Sequence, residues 1–563
     1  MNKKWQIYQT DALKVEEISR KYNINKLLAT ILVNRDIVDE EKINKFLNPK
    51  RSDFYAPYLL PDMEIAIQRI IEAIENKERI VIYGDYDVDG ITSVTVLKKF
   101  LEERGMEVSE YIPNRLEEGY GLNKEAIKEI AGQGKQLMIT VDCGISAVEE
   151  VEYANELGLE TIITDHHEPG NKLPNAIAII DAKRKDNTYP FRNLAGVGVV
   201  FKLIQALGIR LKLEEKEYLK YLDIVCIGTI SDIVPLVDEN RVIVKLGLKL
   251  VEQTRNLGLK AIIESSGYSK VDSSTISFGV APRINACGRM GHQEEALNLF
   301  LAEDIDEVKR LTQRLNDYNK TRQETEKKIY NDAIEEIERN KLYNKNTIVI
   351  MQKNWHHGVI GIVSSKITEI YFKPSILLCE EGENGKGSGR SIPGFDLYEA
   401  LTECKENVDK FGGHSMAIGI NIKKDKFEKF KDQLEEIAEK KEIEKIVPIL
   451  KIDAQIELDD INKEMVESLK ELEPFGEENK MPVFVFKNLK IDSIRALSEG
   501  KHLKLTLKEN KNIVNAIGFN LGELSNEYKI GDKIDVVGSL EINTFNGTNN
   551  IQINIKDIMK SVE

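Results

Sequence analysis

The feature that most constrains the fold is a short apolar run that ends directly at an acidic residue, a pattern that occurs three times. The runs are residues 79–84 before Asp85, residues 137–141 before Asp142 and residues 161–164 before Asp165. A fourth apolar run covers residues 176–180, and helical spacing of apolar residues runs from Ile91 to Gly105. Short runs that are apolar on both faces are typical of buried parallel strands. Strands, loops and helices in alternation therefore predict an α/β domain with a parallel sheet.

The acidic residues are predicted to converge on one edge of that sheet. Ligands bind beyond the carboxyl ends of parallel strands. We therefore expect Asp87, Asp89, Asp142, Asp165 and His166 to share one crevice. Several carboxylates with one or two imidazoles suit Mn²⁺ or Mg²⁺, and such sites commonly hydrolyse phosphoesters.

Each acidic segment also has a simpler interpretation. The Asp-x-Asp pattern in a glycine-rich loop can be a turn, and the His166–His167 pair can be solvated. Asp142 can cap a helix, and so can Asp232, which follows the apolar residues 222–230. Repetition of the acid-after-strand pattern favours the metal site. A zinc site is not indicated, because the five cysteines are dispersed with no C-x-x-C pair: Cys143, Cys226, Cys287, Cys379 and Cys404.

These segments resemble the DHH phosphoesterase superfamily, and others downstream resemble its RecJ branch. The superfamily segments are DYDVDG from Asp85, VDCG with Asp142, TDHHEPG with Asp165 and GTISDIVPL with Asp232. The segments shared with the RecJ branch are APRINACGRMG (281–291), WHHGVIGIV (355–363), GSGRS (387–391) and GGHSMAIG (412–419). The resemblance runs in the same order through nearly the whole chain.

The resemblance implies a pair of metal ions, Mn²⁺ or Mg²⁺. The implied ligands are Asp87 with Asp85 beside it for one ion, Asp89, His166 and Asp232 for the other, and Asp142 as the bridging carboxylate. Asp142, Asp165 and His167 are the implied catalytic residues, and His167 is a candidate for proton transfer because imidazole titrates near neutrality. Many DHH phosphoesterases have a histidine where this chain has Tyr83, so the first ion is expected to lack an imidazole ligand.

Phosphate binding is expected to come from arginines and backbone amides. Guanidinium groups make bidentate contacts to phosphate. The implied nucleic-acid and phosphate-binding residues are Arg115, Arg283, Asn285, Arg289, Trp355, His357, Ser388, Arg390, Gly413 and His414. Of these, Arg115, Ser388 and Arg390 resemble the pocket for a terminal 5′ phosphate, and Arg283 the group near the scissile phosphate. The alternatives are surface salt bridges for the arginines, core packing for Trp355 and a buried structural role for His414.

The fold class is α/β and multidomain. We predict a helical N-terminal appendage of the first domain (1–50), a parallel-sheet DHH catalytic domain (51–303), a connecting helix (304–345), an α/β DHH-associated domain that binds nucleic acid (346–445) and a C-terminal OB-like β-barrel (446–563). The last domain follows from five strand-like runs, namely residues 449–458, 482–491, 502–509, 513–520 and 533–542. Such a barrel commonly stacks bases on aromatic residues, for which Phe484, Phe486, Phe519 and Phe545 are candidates.

The net charge of −15, from 79 basic and 94 acidic residues, limits how the chain can bind nucleic acid. It argues against nonspecific coating of duplexes, for which excess basic residues are usual, and favours basic residues lining a narrow channel. There is no apolar stretch of membrane-spanning length, and scattered cysteines fit a reducing cytoplasm.

The resemblance implies a monomeric, cytoplasmic 5′→3′ exonuclease that is specific for single-stranded DNA. It would release 5′-mononucleotides by two-metal hydrolysis and act in DNA repair and recombination. By resemblance alone, its protein partners would be single-strand-binding protein and a RecQ-type helicase. Two alternatives are another DHH phosphoesterase, such as a nanoRNase, a cyclic-dinucleotide phosphodiesterase or a pyrophosphatase, and a non-catalytic binding module. The PRINACGR segment within residues 281–291 together with the terminal barrel argues against the first, and the complete set of acids argues against the second.

Overall fold

A computed structural model describes residues 3–545 and 548–561, with the side chains of 544–549 left undescribed. The strands are, in chain order, β1 (Lys4–Ile7), β2 (Ile80–Gly84), β3 (Val108–Tyr111), β4 (Leu137–Val141), β5 (Glu160–Thr164), β6 (Ala178–Ile180), β7 (Ile348–Lys353), β8 (Ser375–Glu381), β9 (Asn384–Arg390), β10 (Lys410–His414), β11 (Ala417–Lys423), β12 (Ile449–Ile452), β13 (Ala454–Gln455), β14 (Phe484–Leu497), β15 (His502–Glu509), β16 (Asn512–Gly518), β17 (Lys533–Phe545) and β18 (Thr548–Lys560).

The α-helices are α1 (Ala12–Tyr22), α2 (Lys26–Asn34), α3 (Glu40–Leu47), α4 (Met63–Asn76), α5 (Val88–Glu102), α6 (Lys124–Gly132), α7 (Val148–Glu156), α8 (Gly196–Arg210), α9 (Lys216–Leu219), α10 (Leu222–Ser231), α11 (Asp238–Val251), α12 (Leu257–Ser266), α13 (Ala281–Arg289), α14 (Gln293–Leu301), α15 (Ile305–Arg339), α16 (His357–Tyr371), α17 (Leu397–Glu403), α18 (Phe427–Lys440) and α19 (Lys463–Ser468). The chain divides into two compact units: Phe54–Pro235 with Val242–Ile446, and the remainder. None of the described helices is long and apolar enough to cross a membrane.

The first sheet has five parallel strands in the order β3-β2-β4-β5-β6. The four predicted apolar runs form β2, β4, β5 and β6, and the predicted parallel α/β domain is confirmed. The sequence interpretation missed β3, in which only Val108 is buried. Helix α5 begins at Val88, immediately after Asp87, so the first acidic segment is also the start of a helix.

The predicted connector is the 35-residue helix α15, which begins at Ile305, shortly after α14 ends at Leu301. Its first turn is capped by Asp304, whose side chain accepts hydrogen bonds from the backbone amides of Asp306 and Glu307. Its buried face is apolar near both ends but carries Asn319 and Glu326 in the middle. There Arg322 donates to Glu326 at 2.6 Å and also to Asn319, so a polar network replaces apolar packing at the centre of the helix.

A second sheet follows α15, in the order β10-β11-β9-β8-β7, and only β7 and β8 pair in parallel. The glycine-rich β9 lies at its centre. A Cβ atom added to Gly387 would lie 2.6 Å from Leu378, and one added to Gly389 would lie 2.8 Å from Ile418. The predicted α/β character of this domain is confirmed, and the glycines are explained by close packing across the sheet.

The other unit contains a closed barrel. Strands β14-β15-β16-β18-β17 are hydrogen-bonded in sequence, and β14 also pairs with β17, which confirms the OB-like fold. The first predicted run does form strands, β12 and β13, but the fifth strand of the closed barrel is β18, which was not predicted. Phe484 and Phe486 are fully buried in the core, so they do not present a stacking surface. Phe519 is 52% exposed, and the side chain of Phe545 lies outside the described residues.

The N-terminal helices belong to the barrel unit, which differs from the expectation that they extend the first domain. Ile18, Leu28 and Ile31 share one hydrophobic core with Leu503 of the barrel. The segment Leu236–Arg241 belongs to the same unit. These helices are short, and α1 and α3 carry many charged residues, so the sequence did not show which domain their few apolar residues pack against.

Candidate active site

The acidic residues occupy the carboxyl edge of the parallel sheet, as the sequence predicts. Asp85 follows β2, Asp142 follows β4 and Asp165 follows β5. Asp232 instead follows helix α10, at its C-terminal cap. Asp142 has a left-handed backbone with φ of 60°, a conformation that aspartate tolerates better than most residues.

Their side chains form clusters that are small enough to bind metal ions. His166 Nε2 lies 3.1 Å from Asp142 Oδ1, 3.6 Å from Asp232 Oδ2 and 3.9 Å from Asp89 Oδ2. The side chains form three groups, and within each group the potential ligand atoms lie within 4.8 Å of one another. The groups are Asp85 with Asp87 and Asp142; Asp89 with His166 and Asp232; and Asp142 with His166 and His167. Asp142 and His166 each belong to two of these groups. The six implied metal ligands therefore lie together, and Asp142 shares one group with Asp85 and Asp87 and another with His166.

Backbone amides fix the two acids of the first loop. Asp87 Oδ1 caps α5 and accepts hydrogen bonds from the amides of Asp89 and Gly90, at 2.9 and 3.1 Å. Asp89 accepts from the amides of Gly196 and Val197 at the start of α8, at 2.6 and 2.9 Å. A Cβ atom on Gly196 would lie 2.7 Å from Asp142, so only glycine leaves room there. Asp87 therefore caps a helix and also belongs to the acidic cluster.

The electrostatics of the cluster fit divalent cations. Burial raises the pKa of Asp85, Asp142 and Asp232 well above the ordinary value, and neighbouring aspartates raise each further. Burial lowers the pKa of His166 to about 3, so its imidazole is neutral. Asp85 Oδ1, Asp232 Oδ2 and both ring nitrogens of His166 are buried without a hydrogen-bond partner among the described residues. Buried polar atoms are usually paired, and the donor set suits Mn²⁺ or Mg²⁺.

Asp165 and His167 form a hydrogen-bonded pair beside the cluster. His167 Nδ1 lies 2.7 Å from Asp165 Oδ1, and Asp165 Oδ2 accepts from the amide of Ile145 at 2.9 Å. Burial opposes protonation of His167, but the bond and charge of Asp165 raise its pKa above the ordinary value. Asp165 is absent from the ligand groups, so its position suits orientation of His167.

The sequence interpretation missed Asp181, a further acid directly after a strand. It is fully buried after β6, and one oxygen accepts from the amide of Lys183 at 2.6 Å, while the other has no partner among the described residues. Burial raises its pKa to about 8, and the charge of Asp165 adds to the shift. The signal was present in the sequence, since residues 176–180 form a predicted strand and Asp181 follows them.

Replacing Asp181 by Asn is expected to stabilise the protein increasingly as pH rises from about 4 to 8. The carboxyl titrates near 4 when unfolded and at about 8 when folded. Across this window the folded state binds one more proton, so wild-type stability falls as pH rises. Urea unfolding at pH 5 and 8.5 should show the gain of Asp181→Asn increase by at least about 2 kcal/mol. The same gain at both pH values would contradict the burial of an ionisable carboxyl.

The arginines of three predicted segments form a cationic cluster in the same unit. Arg115 lies 4.9 Å from the ring of Tyr86, next to Asp85, and lowers the pKa of Arg390 after the larger effect of burial. Burial lowers the pKa of Arg289 to about 9, with contributions from Arg115, Arg322 and Arg390. Within the described part of the chain, no carboxylate pairs with Arg115, Arg289 or Arg390. Cations that repel one another without a partner form a site for an anion.

The DHH-associated domain completes this cluster with the start of α16. Arg390 donates to Ser388 Oγ at 2.9 Å, and a Cβ atom on Gly361 would lie 3.0 Å from that oxygen. His357 begins α16, where the helix dipole favours negative charge. Arg289 donates to the carbonyl of Gly358 at 3.1 Å, so the catalytic and DHH-associated domains touch at the cluster.

Five predicted nucleic-acid residues lie outside the contacts of the cationic cluster described above. Arg283 donates to Asn316 at 2.7 Å and to the carbonyls of Gly279 and Ser265, so its guanidinium is engaged within the fold. Trp355 is 5% exposed and donates to Asp332 at 3.2 Å, which makes it a core residue. Two others, Gly413 and His414, are exposed on β10, at an edge of the second sheet. Asn285 is half-buried on α13.

Comparison with known proteins agrees with this architecture. Family models match residues 79–229 as a DHH family N-terminal domain, 344–440 as a DHHA1 domain and 452–557 as a RecJ OB domain. The single-stranded-DNA-specific exonuclease RecJ of Bacillus subtilis is 40% identical over 98% of this chain and 70% of its own length. The chain belongs to the RecJ family. The Escherichia coli RecJ is 32% identical over 89% of this chain and 90% of that protein.

Solved RecJ structures share the fold and contain metal ions. The Mn²⁺ complex of RecJ from Thermus thermophilus has a TM-score of 0.85 and 28% identity, covering 100% of this chain and 80% of that one. Another RecJ bound to manganese has a TM-score of 0.62 and 33% identity, covering 69% of this chain and 97% of that one. The Thermus protein has also been solved with Mg²⁺. These relatives bind both cations that the acidic cluster of this chain fits.

Proposed function

We propose that this chain is a metal-dependent 5′→3′ exonuclease that degrades single-stranded DNA to 5′-mononucleotides. The observation that carries the proposal is the adjacency of two sites of opposite charge in one unit. The acidic cluster around Asp142 fits two divalent cations. Burial raises the pKa of Asp85, and the charge of Arg115, which also belongs to the cationic cluster, opposes part of that rise. An end phosphate bound by the arginines would place the first diester at the acidic cluster. The 5′ polarity rests on the family resemblance.

The ligand roles follow the grouping of the side chains. Asp85 and Asp87 would hold one ion, Asp89, His166 and Asp232 the other, and Asp142 both. Two bound cations activate water and neutralise the phosphate charge. Asp165 orients His167, which is placed to exchange a proton with water or the leaving oxygen. Arg115, Arg289 and Arg390 bind and orient the strand end, with Ser388 and the start of α16 contributing neutral donors.

The wider setting of the proposal is cytoplasmic DNA repair and recombination. The monomeric state and the partners, single-strand-binding protein and a RecQ-type helicase, rest on the family resemblance. A non-catalytic binding module is not favoured, since every implied metal ligand is present in the cluster.

A blunt duplex is expected to be degraded about 100-fold more slowly than the same strand unpaired, because misplacing the scissile group by about 1 Å costs that much. Arg289 donates to the carbonyl of Gly358 at 3.1 Å beside the cationic cluster, and we expect the space next to this contact to admit one strand but not a duplex. End-labelled strands with Mn²⁺ provide the measurement. Equal rates on both substrates would favour an open-site phosphoesterase and overturn the single-strand specificity. Digestion of the unpaired strand to mononucleotides tests the proposal itself.

A further inference from the structure

Tyr120 reaches two residues of the proposed catalytic machinery through its hydroxyl group. The hydroxyl donates to the backbone carbonyl of Asp142 at 3.3 Å. It also lies 3.2 Å from His167 Nδ1 and 3.5 Å from Nε2, with the two rings packed edge to face. Since His167 Nδ1 is also bonded to Asp165, the imidazole is held between a carboxylate and a phenol.

The loop that carries Tyr120 is anchored on both sides. Tyr83 is fully buried under the sheet edge, and its hydroxyl donates to the carbonyl of Gly121 at 3.0 Å. Asn123 donates to Tyr83 at 3.3 Å and caps α6 with its side-chain oxygen. On the other side, the amide of Gly119 donates to the carbonyl of Asn114 at 3.2 Å. These bonds determine where the phenol of Tyr120 lies.

The flanking glycines allow the turn that directs Tyr120 into the crevice. Gly119 and Gly121 have φ of 88° and 84°, values that a residue with a Cβ atom rarely adopts. No atom lies within 4 Å of an added Cβ at either position, so backbone conformation is the reason for glycine there. Glycine loses more conformational entropy on folding than other residues. The two glycines that flank Tyr120 therefore destabilise the loop, which indicates that the position of the tyrosine side chain matters.

The hydroxyl of Tyr120 faces the crevice although the residue is 53% exposed, since it contacts both Asp142 and His167. A phenol has one proton to donate, and its oxygen can also accept a hydrogen bond. Donation to the carbonyl of Asp142 therefore allows the same oxygen to accept from the ring of His167. The carbonyl that accepts this proton belongs to Asp142, which has a left-handed backbone with φ of 60°.

We propose that Tyr120 is a positioning residue for hydrolysis, whose hydroxyl fixes the ring of His167 and the backbone of Asp142 together. The inference rests on the proposed exonuclease function and adds a residue to it. Tyr120 acts through His167 and Asp142, and Tyr83 acts through Tyr120 by holding the loop. The hydroxyl supports catalysis, so its loss changes turnover more than strand binding.

The test is Tyr120→Phe, which keeps the ring and removes the hydroxyl. We expect kcat on 5′-phosphorylated single strands to fall about five- to tenfold, the effect of one neutral hydrogen bond, with KM unchanged. The matched control is Tyr58→Phe, whose hydroxyl donates to the carbonyl of Ala206 away from the cluster, and it should retain wild-type kcat. Tyr83→Phe should lower kcat in the same direction as Tyr120→Phe.

A double-mutant cycle with His167→Asn separates positioning from an independent role. If Tyr120 acts through His167, adding Tyr120→Phe to His167→Asn should lower kcat little further. Full additivity, an unchanged kcat in Tyr120→Phe, or a rise in KM alone would each overturn the inference. A rise in KM alone would show that the phenol binds the strand.

A measurement without substrate distinguishes failure of this inference from failure of the proposed function. In protein labelled with ¹⁵N at histidine, the ring signals of His167 are identified by their loss in His167→Asn. They should shift in Tyr120→Phe and stay in place in Tyr58→Phe. If the wild-type protein leaves single strands intact, the proposed function fails, and a shift still supports contact between Tyr120 and His167. Unshifted signals would remove that contact whatever the activity.

Discussion

Asp142→Asn should abolish hydrolysis of single strands, with a fall in kcat of more than about 1,000-fold, or about 4 kcal/mol of transition-state stabilisation. Asp142 belongs to two of the potential ligand groups, and its Oδ1 lies 3.1 Å from His166 Nε2. An amide in its place has the same shape but one oxygen and no charge, so it cannot bridge two cations. Both ion positions are therefore disturbed by one substitution, which no other acid of the cluster would do.

Calorimetric titration with Mn²⁺ measures the cause of this loss directly. The wild-type chain should bind two ions, and Asp142→Asn should bind fewer or bind both far more weakly. Asp223→Asn is the matched control, because Asp223 is also a buried aspartate but bonds Thr254 outside the cluster. It should retain both activity and metal binding. Activity within about tenfold of wild type in Asp142→Asn would remove the bridging role and leave a single-ion mechanism.

The acidic cluster could be predicted from the sequence because one rule positions it. A parallel sheet brings the residues that follow its strands to one edge. Predicting that Asp85, Asp142 and Asp165 lie together therefore required only that three strands be recognised. Asp232 follows a helix instead, and its place in the cluster came from the family resemblance. The same rule applied to Asp181 would have found it, since the strand before it was predicted.

Residues on helices and loops were harder to predict, because their direction depends on tertiary packing. Arg283 and Arg289 lie on one helix, α13, yet Arg283 is engaged by Asn316 while Arg289 faces the cationic cluster. Trp355 follows β7, where its ring could have faced either the core or the solvent. Tyr120 had no periodic pattern around it, and only its contacts with Asp142 and His167 show its relevance. The barrel was predicted from alternation, but one short first strand was assigned in place of β18.

Arg390→Ala should slow digestion of 5′-phosphorylated strands by about 10- to 100-fold, the effect of losing a charge-assisted contact worth about 1.5–3 kcal/mol. Burial first and Arg115 second lower the pKa of Arg390, so the two cations repel each other in the free protein. A terminal phosphate, which carries more charge than an internal diester, relieves this repulsion most. Strands with a 5′ hydroxyl should therefore lose much less activity than phosphorylated strands.

The comparison requires both end types in wild type, Arg390→Ala and Arg390→Lys. Lysine keeps the charge but not the fork of donors, so it should recover part of the preference for phosphate. Arg310→Ala is the control for removing an arginine and should change neither rate, since Arg310 is exposed on α15 and pairs with Glu307. The acidic cluster has no contact with Arg390 in the described structure, so Mn²⁺ binding should stay unchanged in all three variants. An equal loss on both end types would show that Arg390 binds the strand along its length. The release of mononucleotides could then no longer be explained by a terminal phosphate held at a fixed distance from the metal centre.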